Sequence, residues 1–180
     1  REGFVRSSER SNLLQDFATA LGSPSLGVVY GLLFAVQLGV MIISPVFTLY
    51  MKQIVLGPVE LITGIVFSLA GIAQIIAAPI ATRLAVARGY PFTLVLGFGL
   101  ITLIAFPQGL MHSVVVMGLL RFLFGFGLAM VVISGNVLLS QHSTRSFRGR
   151  AFGVLNGVNA MCSVVGTLGG GWLGNLLGLG

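Results

Sequence analysis

The chain has 180 residues, 56% of them hydrophobic and only 8% charged, with a mean hydropathy of +1.02. A soluble domain carries roughly 25% charged residues, so this composition excludes an ordinary soluble globule and indicates an all-α integral membrane protein. The net charge of +6 does not point to nucleic acid, because the basic residues fall in short links between apolar runs, where membrane topology accounts for them.

Residues 1–25 are polar and mix Arg1, Arg6 and Arg10 with Glu2, Glu9 and Asp16. They read as a solvated linker, with one short amphipathic turn over Ser11–Leu21. Gly22-Ser23-Pro24-Ser25 breaks it before the membrane. The first span runs over about 26–50. Gln37 and Ser44 share a helical face with Met41 between them. Pro45 removes a backbone hydrogen bond and predicts a kink. Tyr50 suits the interfacial aromatic belt. Residues 52–60 form a short loop. The second span covers about 61–82 and carries Ser68, Gly71, Gln74 and Pro79. The link TRLAVARGYP follows, with Arg83 and Arg88.

The third span, about 91–111, is the most uniformly apolar and reads as the helix most exposed to lipid. The fourth span, about 113–140, holds one charge, Arg121. A charge inside a span costs a few kcal/mol or more. Arg121 follows Ser113 by eight residues, or roughly 12 Å along a helix. That is a long reach for snorkelling to the interface, so a protein-lined or water-filled interior is the favoured setting. The fifth span runs over about 151–178. Gly166, Gly170, Gly174 and Gly178 repeat every four residues, and Gly153 and Gly157 add one more pair. Such ridges let another helix approach closely. Cys162 is the single cysteine, so no internal disulfide forms and the thiol reads as a small packing group.

The links alternate in charge. The tail, the link with Arg83 and Arg88, and the link with Arg145, Arg148 and Arg150 are basic, whereas the loop after span one holds Lys52 alone. Five spans with a cytoplasmic N-terminus follow from that bias. The chain starts at Arg1 and stops beside an apolar run, which reads as an internal piece of a longer protein.

The order of the motifs carries a resemblance. SPVFTLY in span one, AAPIATRLAVARG after span two, LLRFLFGFG in span four, and RGRAFGVLNG leading to GTLGGGWLG in span five are similar to the C-terminal half of a major facilitator superfamily transporter, of the bacterial drug-efflux branch. The likeness covers about residues 26–180 and corresponds to helices seven to eleven of twelve. Residues 1–25 then resemble the cytoplasmic loop between the halves. Two positions depart from the pattern. Val86 stands where the loop motif commonly has Asp, and Gly166-Thr167-Leu168-Gly169-Gly170 lacks the Pro of the antiporter motif.

The resemblance implies that spans one and four line a central cavity, that spans two and five form a seam with the missing N-terminal half, and that span three faces lipid. Cavity candidates are Gln37, Met41, Arg121, Phe122 and Asn136. Phe34, Phe126 and Met130 would add apolar surface, and Asn156 and Asn159 further hydrogen bonds. Seam glycines are Gly153, Gly157, Gly166, Gly170 and Gly174. The cytoplasmic loop motif holds Arg83, Gly89, Arg148, Gly149 and Arg150. The implied activity is alternating-access transport of a small molecule, as proton-coupled efflux of a lipophilic compound in the cell membrane, and Arg121→Ala is predicted to impair it. An uptake symporter and a non-transporting membrane module are the alternatives. No span contains a carboxylate, so a coupling carboxylate lies in the missing half or is absent. No catalytic cluster, metal-ligand spacing or phosphate loop appears, so no enzyme activity, metal or cofactor is implied.

Overall fold

A computed structural model describes residues 24–55, 57–108, 111, 113–143 and 148–176. The tail 1–23, with its amphipathic turn, and His112, Arg145 and Gly178 lie outside the described residues. Five helices follow one another: α1 Pro24–Ile54, α2 Val59–Arg88, α3 Tyr90–Gln108, α4 Val114–His142 and α5 Arg148–Leu176. All five are long and apolar enough to cross a membrane. The protein is a multi-pass membrane protein.

The helix ends follow local chemistry. Pro24 opens α1, where its missing N–H would have had no helical partner. The helix then continues past Pro45 to Ile54. The second span does not end at Thr82 as the charges suggest. Leu84, Ala85, Val86 and Ala87 contain no breaker, so α2 carries Arg83 and Arg88 in its own last turns. It stops at Gly89, whose φ of 97° is open to glycine but strained for other residues, and the Gly89 N–H donates to the Ala85 carbonyl. The link TRLAVARGYP is therefore almost entirely helical. Arg148, Gly149 and Arg150 are likewise the first turn of α5.

The helix α4 is central. It packs against α2 and α3 over long faces and against α1 more briefly, while α1 pairs mainly with α5. Lipid is as apolar as Leu, so these contacts depend on close packing rather than on the hydrophobic effect. Small residues supply it. Thr63, Val66, Ala70, Ala73, Ala77, Ala81 and Ala85 make the buried stripe of α2. Gly125 of α4 sits against Ala70 and Ala73, and Gly118 against Leu69. Gly127 meets Gly97 and Ile101 of α3, and Gly135 meets Leu33 of α1. The apolar third span packs on α4 along one face only. One face, with Thr93, Leu94 and Gly97, is buried on α4, while Val95, Leu103 and Phe106 point outward.

Gly166, Gly170 and Gly174 pack against Met41, Ile42, Pro45 and Leu49 of α1. The seam they form is internal to this bundle. Gly153 is exposed with open space where a Cβ would stand, and Gly157 is half-buried. Buried apolar clusters close the two ends of the bundle. One gathers Tyr30, Leu33, Val131, Leu139 and Ala151, and the other Phe47, Met51, Val66 and Met117.

Candidate functional site

A cavity of about 230 Å³ opens between α1, α4 and α5. Four carboxamides reach it: Gln37 from α1, Asn136 from α4, and Asn156 and Asn159 from α5. Leu33, Val36, Leu128, Val131, Val132, Phe152 and Leu155 complete the wall. Helical spacing explains the grouping. Leu128, Val132 and Asn136 recur every four residues, and Phe152, Leu155, Asn156 and Asn159 lie on one stripe. Gly135 allows Leu33 to approach α4 directly beside Asn136. No hydrogen bond joins these four amides to another described residue. Each amide offers both donors and an acceptor. The wall holds no charged group. It suits an uncharged or weakly polar molecule held by neutral hydrogen bonds and aliphatic contact.

The remaining cavity candidates lie elsewhere. Met41 is packed on α5, where the Ser163 hydroxyl donates to its Sδ at 3.6 Å and Gly166 faces its Cβ. Phe122 lines an apolar groove between α2 and α4 and forms a tilted pair with Phe126, ring centroids 5.5 Å apart. Met130 packs beside Gly97, and Phe34 is exposed, its carbonyl accepting the Cys162 thiol at 3.7 Å.

Arg121 is the largest departure from the grouping read in the sequence. It follows the start of α4 by seven residues and precedes Asn136 by fifteen. That separation is roughly 22 Å along the helix axis. The side chain neither snorkels nor reaches the amide cavity. It is 3% exposed. Its Cζ lies 4.1 Å from the Phe47 ring centroid on α1, 4.8 Å from Phe67 on α2 and 5.5 Å from Phe124 on α4 itself. Phe47 and Phe67 meet edge to face at 5.4 Å. Cation–π contacts of this kind contribute about 2 kcal/mol when desolvated. The guanidinium therefore bridges α1 and α2, which otherwise touch little. Neither Phe47 nor Phe67 stood out in the sequence, because an aromatic in an apolar helix gives no sign of what it faces.

A model of the Major Facilitator Superfamily matches residues 29–179. The chain belongs to this superfamily. Its members are transporters rather than enzymes. Among curated relatives, a "Multi-drug resistance efflux pump PmrA homolog" of Lactococcus lactis is 28% identical over 155 residues, covering 83% of this chain and 37% of the relative. The "Multidrug resistance protein MdtG" of Klebsiella pneumoniae is 26% identical over 172 residues, covering 93% and 42%. The protein of the same name from Escherichia coli is 25% identical over the same length and shares. The chain thus spans about two fifths of the length of these relatives. No solved structure matches it.

The basic residues of the loop motif sit at one end of the bundle. Arg83 and Arg88 close α2, and Arg148 and Arg150 open α5, while Lys52 lies at the opposite end in the last turn of α1. Arg88 also lies over the Phe92 ring at 5.7 Å. Among the described residues no group of three or more His, Cys, Asp or Glu side chains is placed to hold a metal ion.

Proposed function

We propose that this chain is the greater part of the C-terminal half, helices seven to eleven of twelve, of an alternating-access carrier that expels a lipophilic compound across the bacterial inner membrane in exchange for protons. The observation that carries the reading is the cavity of four carboxamides and aliphatic side chains between α1, α4 and α5 in a chain of this superfamily. A site of this kind accepts greasy molecules with one or two hydrogen-bonding groups and imposes little further selection. The names of the relatives, multidrug efflux proteins, agree with such a substrate range.

Direction and topology rest on charge. The end with Arg83, Arg88, Arg148 and Arg150 is assigned to the cytoplasm. The amide cavity lies nearer that end, since α4 ends and α5 begins there. The site thus takes substrate from the cytoplasm and releases it when the two halves rock to the outward-open state. Glu60, exposed in the first turn of α2, is the one carboxylate among the described residues. The proton-carrying carboxylate is assigned to the N-terminal half. Residues 1–25 are assigned to the cytoplasmic linker.

The test is dye efflux from cells that express the intact transporter. Energised cells lose a lipophilic dye faster than control cells, and a protonophore abolishes the difference. Efflux that persists with the protonophore removes proton coupling. Dye accumulation instead of loss favours an uptake carrier.

A further inference from the structure

We propose that, among the greasy molecules the amide cavity admits, it prefers those with the edge of a neutral lactam, imide or primary carboxamide and disfavours permanent cations. The inference rests on the reading of this cavity as the substrate site and names the class of molecule that site takes. Three observations meet here. First, carboxamides stand on three sides of the cavity, Gln37 on α1, Asn136 on α4, and Asn156 and Asn159 on α5. Gln37, Asn136 and Asn159 are half-buried and Asn156 is exposed. Their amide atoms have no partner among the described residues, yet none is sealed off as Arg121 Nε and Nη2 are. They are open to a ligand.

A carboxamide holds an N–H donor and a carbonyl acceptor side by side. Its best neutral match presents the same two groups in the opposite order, so that two parallel hydrogen bonds form. Asn and Gln read the edge of adenine by this rule. Lactams, imides and primary carboxamides have such an edge, whereas an ester, an ether or a ketone offers acceptors alone.

Second, the cavity is small. Its volume of about 230 Å³ lies below the roughly 300–1,000 Å³ of a site that encloses a drug-sized molecule. It holds the polar ring of a ligand against Leu128, Val132 and Phe152 and leaves a longer apolar tail outside.

Third, the charges around it are of one sign. A cation taken out of water needs a carboxylate or aromatic faces to replace its hydration. The wall has no carboxylate and a single ring, Phe152. Arg148, in the first turn of α5, precedes Asn156 by eight residues, roughly 12 Å along the helix. Arg150 is nearer still, and Arg83 and Arg88 lie at the same end of the bundle. Their summed field opposes a second positive charge in the cavity. An anion finds no charged donor in the wall, so the neutral edge is the one best matched.

The experiment measures binding to the intact transporter in detergent at pH 8, with three fluorescent probes of one shape. These are 4-hexyl-2-quinolone, a lactam, its N-methyl derivative, which lacks the donor, and 4-hexyl-1-methylquinolinium, a permanent cation. Wild type is expected to bind the lactam roughly two- to tenfold more tightly than the N-methyl derivative, and the cation most weakly. Asn136→Leu weakens the lactam by a similar factor and narrows its advantage. Asn136→Asp puts a negative charge on the wall and raises affinity for the cation about tenfold. Asn156→Asp, at an exposed position, repeats that test from α5 should Asn136→Asp fail to fold. Equal wild-type affinity for the lactam and its N-methyl derivative overturns the paired edge. A cation bound by wild type as tightly as the lactam overturns the charge selection. Unchanged affinities in Asn136→Leu and Asn156→Asp overturn the site, and dye efflux by those variants at the wild-type rate then keeps the transporter while moving its substrate elsewhere. Lactam binding that depends on Asn136 in a protein without dye efflux removes transport and leaves the recognition standing.

Discussion

Gly97 of α3 and Gly127 of α4 lie in backbone contact, since a Cβ at Gly97 would stand 2.9 Å from the Gly127 carbonyl oxygen and 2.7 Å from the Met130 Cβ. The converse holds as well, with a Cβ at Gly127 2.7 Å from Ile101 Cγ1 and 3.0 Å from the Gly97 carbonyl oxygen. Gly97→Val is therefore expected to push the helices apart and to cost about 1–3 kcal/mol, the usual range for overpacking. Gly99, on the outer side with open space around it, is the control. Thermal unfolding of the intact transporter in detergent should show a lowered midpoint for Gly97→Val and little change for Gly99→Val. Equal midpoints would show that α3 is not held at this point.

A matching contrast exists along α5. Gly170 faces the Ile42 carbonyl and Pro45, whereas Gly169 and Gly171 meet nothing within 4 Å. Gly170→Leu is expected to lower expression and dye efflux together, and Gly169→Leu to leave both near wild type. Immunoblots of membrane fractions beside efflux rates separate the two.

The amide cavity makes a narrower prediction. Asn136→Leu and Gln37→Leu remove one polar head each while none of the four amides bonds another described residue. Stability should change little. With the cavity as the proposed substrate site, the loss of one hydrogen bond, about 0.5–1.5 kcal/mol, corresponds to a roughly two- to tenfold rise in KM. Efflux kinetics at matched expression test it. A loss of folded protein without any change in KM would make these amides structural.

Tyr30 donates its hydroxyl hydrogen to the carbonyl oxygen of Ala151, 2.9 Å away in the first turn of α5. Tyr30 is buried, and the bond ties α1 to α5 at the basic end of the bundle. Tyr30→Phe is expected to cost about 0.5–1.5 kcal/mol. A cysteine placed at exposed Gly149 should then react faster with a water-soluble maleimide. Unaltered labelling would mean that apolar packing alone holds this corner.

Cys162 is fully buried between α5 and α1. In the folded protein it should resist maleimide labelling and react only after denaturation. Labelling of the native transporter at the rate of an exposed thiol would contradict the packing of α5 on α1.

Much of the architecture was legible in the sequence. Apolar runs separated by Arg and Lys gave five spans, and each is a helix. Helix ends were less legible where charge and backbone preference diverge. Arg83 and Arg88 read as a link, yet Leu84–Ala87 favour helix and only Gly89 ends it. The glycine repeat announced a close neighbour without naming it, because periodicity reveals a helix face but not the helix opposite. Gly166 and Gly170 find α1, a partner within the same bundle. Arg121 and Asn136 illustrate a related limit. Fifteen residues of helix turn through a little more than four full turns, so the two sit on similar faces. A shared face does not make a shared site, because depth along the helix axis separates the two. The rings around Arg121 come from two other helices and carry no signal in the sequence.

The pairing of α1 with α5 has a consequence for how the protein is made. About 90 residues separate the end of α1 from the start of α5. At ordinary rates of synthesis the ribosome needs on the order of 5–20 s to cover that distance. Throughout that interval the face of α1 with Met41, Ile42 and Pro45 must wait in the bilayer without the helix it is shaped to meet. Biogenesis of this bundle therefore passes through a stage in which α1 depends on lipid, on the insertion machinery or on a membrane chaperone to shield it. Variants that slow translation between α2 and α4 should expose it to proteolysis for longer.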